Sequence, residues 1–210
     1  MSPTVNLKTL EREIQRANFK DGIYDITWGL FMCSMLSPIL MRIGLPKPLS
    51  ILFFPVLAVL FLIFGKRYIT APRSGIARPG LKTRRKAKAV LIAGVTLNLI
   101  IIVKIILIRL GIIHLQSVPM MTSALHTSVF FITIFGFLGF ITDYFTLLLV
   151  GALFGISIPA SEILYPYLGE PLDTLLPFGL SAFVILGIGA INLYIFIKNN
   201  PIEMQGVSNA

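Results

Sequence analysis

Cysteine is almost missing from this chain: Cys33 stands alone, which excludes an intramolecular disulfide and any cluster of thiolate metal ligands. It sits inside an apolar run, where a lone thiol reads as a small buried hydrophobe. Charge is scarce as well, at 13% of residues against about a quarter in soluble domains. That scarcity excludes an ordinary globular protein. Catalytic signatures are also lacking. There is no His-Glu-x-x-His zinc helix, no Gly-x-Ser-x-Gly elbow, no phosphate-cradling Gly-Lys-Ser loop and no pair of intramembrane aspartates of the protease kind. A non-enzymatic protein without a cofactor or metal is therefore expected. The two histidines, His114 and His126, lack a third ligand and read as interfacial polar groups.

What the chain does contain is apolar length. Hydrophobic residues make up 56% and the mean hydropathy is +0.88, values of an integral membrane protein whose 210 residues leave room for roughly five to seven spans. Six apolar runs can be drawn, at about 23–41, 49–64, 89–113, 120–141, 145–163 and 175–197. The expected fold is an all-α transmembrane bundle of about six spans, with a membrane domain over 23–198 and a tail over 199–210. Tyr24 and Trp28 are placed for an interfacial aromatic belt, and Asp25 for the positive end of the first helix dipole. The fourth and fifth runs are separated only around Asp143 and Tyr144, so 120–163 reads either as two full spans or as a re-entrant pair. Gly151 and Gly155 form a GxxxG match, which indicates close packing inside the bundle.

Ahead of the first run, Leu7, Leu10, Ile14 and Ala17 recur at helical spacing, with Lys8, Glu11, Arg12, Gln15 and Arg16 between them. Residues 1–22 are therefore expected to carry a cytoplasmic amphipathic helix. They mix acids and bases without a continuous apolar core, so no cleavable signal is expected and the first span directs insertion.

Charge is distributed unevenly. Residues 66–88 hold nine lysines and arginines and no acid, and with the amino terminus inside, nearly all loop cations fall on one face. The positive-inside rule then puts both termini and this loop in the cytoplasm of a cell that inserts the chain in its inner membrane. DNA or RNA binding is not expected, because the cations flank apolar runs. The cluster exceeds what orientation requires, and Arg73, Arg78, Lys82, Arg84, Arg85, Lys86 and Lys88 are candidate contacts for anionic lipid head groups or a protein partner.

Within the membrane, Lys104 lies about 13 Å from the outer end of its span at 1.5 Å per residue, where a bare ammonium costs about 2.5 kcal/mol or more. Asn98, His126 and Glu162 complete a candidate polar site around it. Two readings stay open: a counter-charge in a polar pathway, which would suit a small-solute transporter or permease component, and a lysine that snorkels its stem outward.

The loop also carries Pro72-Arg73-x-Gly75 followed by Arg84-Arg85-Lys86, and the chain closes on Phe196-Ile197-Lys198-x-x-Pro201. In these motifs it resembles a family of small, uncharacterised prokaryotic multi-span membrane proteins with such a loop after the second span. The resemblance implies the architecture and brings no activity. After Gly75, where that family has an aromatic residue and Lys-Phe-Gly, this chain has Ile76, Ala77, Arg78, Pro79 and Gly80.

Overall fold

A computed structural model describes residues 19–74 and 120–201. All regular structure among these residues is helical, and five helices are long and apolar enough to cross a membrane. The third run, with Asn98 and Lys104, lies outside the described residues. So do the amphipathic segment up to residue 18, the basic positions Arg78, Lys82, Arg84, Arg85, Lys86 and Lys88, and the tail beyond Pro201.

The first span joins α1 (Ile23–Cys33) to α2 (Ser37–Arg42) through a tighter 3₁₀ turn at Ser34–Leu36. Pro38 explains the joint: it has no N–H for the carbonyl one turn back, so the ladder changes pitch just before it. Gly44, in the left-handed region at φ 97°, turns the chain. Pro46 and Pro48 then flank the start of α3 (Lys47–Phe64).

The sequence places the end of the second span at residue 64 and a loop from residue 66, and here the structure differs. The helix runs on through a wider π turn, Gly65–Thr70, into α4 (Ala71–Ser74), giving one rod from Lys47 to Arg73. From Lys66 to Ala71 there is neither glycine nor proline to break the helix, and Pro72 stands where the π turn passes into α4.

The fourth and fifth runs form α5 (Met120–Thr142) and α6 (Thr146–Leu168), each of 23 residues. At about 35 Å each, both exceed a hydrocarbon core of about 30 Å. They are joined by Asp143, whose φ of 56° is a left-handed conformation that Asp accepts better than most residues. The GxxxG reading is met in this hairpin. A Cβ on Gly151 would lie 2.5 Å from the Phe135 Cβ, and one on Gly155 would lie 2.5 Å from the Ile132 Cγ1. Both glycines serve the α5–α6 contact inside the bundle.

The last helix, α7 (Leu172–Asn199), starts three residues earlier than its apolar run and ends two later. Likewise α6 continues five residues past residue 163. Polar end residues such as Glu162, Asp173 and Lys198 are compatible with helix at the membrane surface, so apolar runs understate helix length.

Packing is sequential in space: α3 lies on α1, α1 on α7, α7 on α6, and α6 on α5. The shared core is small and apolar, built from Met32, Cys33, Val150, Ala182 and Ile185, with Trp28, Phe54, Phe135 and Phe154 around it. The outer surface is oily, with Phe140 82% and Phe183 75% exposed. Such a surface suits lipid as the surrounding solvent.

Candidate functional site

Four chain segments meet where α1 begins: the Asp21–Asp25 turn, the π turn after α3, the α5–α6 connection, and the last third of α7. Asp21 and Asp25, four residues apart, lie on one side of the first helical turn and are both fully buried. The Asp21 Oδ1 accepts from the Ile23 N–H at 3.2 Å, which satisfies one of the amide donors that a helix start leaves open. Its Oδ2 accepts from the Lys66 Nζ at 2.6 Å and from the Thr70 hydroxyl at 2.6 Å. Lys66 also lies over the Tyr24 ring at 4.3 Å.

Asp25 is held differently. The Tyr144 hydroxyl donates to its Oδ1, and the Asn192 Nδ2 donates to its Oδ2 at 2.8 Å. Both donors are neutral. Phe19 stacks on Tyr144 with ring centroids 4.8 Å apart and closes the side of the cluster. Two glycines allow the approach: Gly22, at φ 73°, lies against the Gly189 carbonyl, and a Cβ on Gly189 would be 2.7 Å from the Ile26 nitrogen. With backbones in contact, Asn192, one turn beyond Gly189, reaches Asp25.

This cluster is saturated. All four carboxylate oxygens have a donor, and among the described residues no group of three His, Cys, Asp or Glu side chains can hold a metal ion. Its chemistry is that of a clamp which ties the root of the basic segment to the first span and to the carboxy-terminal helix. Burial, and after it the hydrogen bond to Asp25, raises the Tyr144 phenol above its ordinary range. A folded-state value above the unfolded one of about 10 leaves the stabilisation intact below that pH and removes it as pH climbs through the folded value. Tyr144→Phe should therefore cost about 1.5–3 kcal/mol at neutral pH, the usual worth of a hydrogen bond to a charged group, and should flatten the decline in stability above about pH 10. Unfolding curves at pH 7 and in the alkaline range check both; superimposable curves for the two proteins would contradict the clamp.

Of the residues expected from the sequence, Arg73, His126 and Glu162 are among the described residues. Arg73 is half-buried in α4, where its Nη1 donates to the Ile69 carbonyl at 3.0 Å and its buried Nε has no partner. His126 is exposed on α5 and Glu162 partly exposed on α6. They are not joined by an ion pair to any described residue, and Asn98 and Lys104, around which the polar site is expected, lie outside the described residues. Tyr24 lies under Lys66, and Trp28 meets the Phe135 ring edge-on at 5.1 Å. Asp25 stands in the first turn of α1, as the dipole reading expects, and is in addition a buried acceptor.

Asp21, Lys66, Thr70, Tyr144 and Asn192 were not legible as a set. The available signal was their polarity in or beside apolar runs, since an ionisable group in a membrane segment has to find a partner. Comparison with models of protein families, with curated proteins and with solved structures gives no match.

Proposed function

We propose that the chain is a six-span inner-membrane protein with both termini in the cytoplasm, and that its basic segment, together with an amino-terminal amphipathic helix, engages anionic lipid head groups. The observation that carries this reading is the continuous rod from Lys47 to Arg73. Its 27 residues measure about 40 Å, roughly 10 Å more than a hydrocarbon core. With Lys47 at one surface, Arg67 and Arg73 stand at the level of the opposite head groups. Arg67 and Tyr68 are both exposed there, and the Tyr68 ring stacks on Phe64 at 5.9 Å as an interfacial aromatic does. Lys66 is tied to Asp21, so the rod enters the basic segment from a fixed base. Asp21, Asp25 and Lys66 gather at the rim of the bundle from which the basic segment leaves.

Six of the nine cations follow residue 74 in the sequence. Each contributes about 1 kcal/mol near an anionic leaflet, so changing Arg84, Arg85 and Lys86 together to glutamine should weaken the association with anionic lipid by about a hundredfold. Native mass spectrometry of the full protein from membranes containing phosphatidylglycerol reads the retained lipid, with orientation checked by labelling near residue 205. Unchanged lipid retention at unchanged orientation would remove the basis of the proposal. Loss of a co-purifying protein with lipid retained would transfer the role to a protein partner.

A further inference from the structure

At the far end of α7 from Asn192, a second polar group is built differently from the clamp. Asp173, in the first turn of α7, is only 6% exposed, and its Oδ1 is buried without a hydrogen-bond partner. Its Oδ2 forms a triangle with two hydroxyl oxygens. The edges are 3.4 Å to Ser161 Oγ, 3.2 Å to Thr174 Oγ1, and 3.3 Å between the two hydroxyls. These separations are long for O–H···O bonds, which cluster near 2.7–2.8 Å. They match instead the edges of an oxygen octahedron around an ion about 2.3–2.4 Å from each ligand, inside the Ca²⁺ range of about 2.3–2.6 Å and beyond the Mg²⁺ range of about 2.0–2.1 Å. Na⁺ has nearly the radius of Ca²⁺.

Charge decides between the two. The set contains one carboxylate, so one monovalent ion leaves it neutral, whereas a divalent ion would leave an unpaired positive charge in a buried place. Next to the triangle, the Ser157 hydroxyl is fully engaged with Ser181 at 2.9 Å, the Pro177 carbonyl at 3.1 Å and the Leu153 carbonyl at 2.7 Å. Those bonds hold α6 and α7 in register one turn from Ser161.

We infer that Asp173, Ser161 and Thr174 form a Na⁺ site between α6 and α7, at the end of the bundle opposite the basic segment. The test is thermal unfolding of the purified full-length protein as NaCl replaces choline chloride at constant ionic strength, with KCl and CaCl₂ series in parallel. Na⁺ should raise the midpoint by about 3 °C at ten times its dissociation constant, and Asp173→Asn should abolish that rise. Because Asp173→Asn can also impair folding, Ser161→Ala and Thr174→Val, which keep the carboxylate, should each weaken the Na⁺ dependence at least fivefold. An equal rise with K⁺, a larger rise with Ca²⁺, no rise at all, or a Na⁺ response unchanged in both hydroxyl variants would each overturn the assignment.

Discussion

Lys66→Met is expected to destabilise the protein by about 3–5 kcal/mol, the cost of leaving a buried charge without its counter-ion. The loss falls on Asp21 more than on the lysine. Lys66 retains some access to solvent, whereas the Asp21 side chain has none. Once the ammonium is gone, the carboxylate keeps only the Thr70 hydroxyl and one backbone N–H. Asp21→Asn should be milder, because an amide still fits between Thr70 and Ile23 and the lysine side chain keeps its access to solvent. Combining the two substitutions should recover much of the loss, with a coupling of up to about 3 kcal/mol. Equilibrium unfolding in mixed micelles measures all three variants. Strictly additive effects would mean that the 2.6 Å contact contributes no stability of its own.

A comparable loss, about 3 kcal/mol or more, is expected for Gly189→Val, from overpacking together with a severed hydrogen bond to a carboxylate. The new Cβ would stand 2.7 Å from the Ile26 nitrogen and 3.0 Å from the Asp25 Cβ. The first of these is backbone and the second is fixed to it, so neither can yield by a rotamer change. The helices α1 and α7 would have to separate, and the Asn192–Asp25 bond would lengthen with them. Gly187→Ala supplies the control on the same helix. Nothing lies within 4 Å of its added Cβ, so it should be neutral or stabilising within about 1 kcal/mol. Thermal midpoints that fall equally for both variants would show that α7 tolerates no side chain at either position, and would deny Gly189 a special contact.

Helix count among the described residues was legible because long apolar runs have one physical outcome in a membrane: a helix that satisfies its own backbone. Helix ends were less so. A hydropathy run stops where side chains become polar, yet Lys66, Arg67 and Tyr68 continue the helix beyond that point because nothing there breaks it. The GxxxG pair in α6 was legible from spacing alone. Gly22 and Gly189 were not, since they lie 167 positions apart and only the fold shows that they touch. The clamp was hidden for the same reason. Asp25 was visible as an acid at the head of a span, but its two donors come from a turn and a helix near the other end of the chain, and Asn192 is a single amide in a run of apolar residues.

The origin of those donors bears on how the chain is made. Asp25 leaves the ribosome ahead of its partners, since Tyr144 and Asn192 follow 119 and 167 residues later. Its carboxylate therefore enters the translocation machinery without either final partner. Until α7 is synthesised, α1 has no Gly189 to lie against and no amide to receive. In synthesis α1 thus precedes the helix that seats it, and a nascent chain halted anywhere before residue 192 leaves Asp25 without its Asn192 donor.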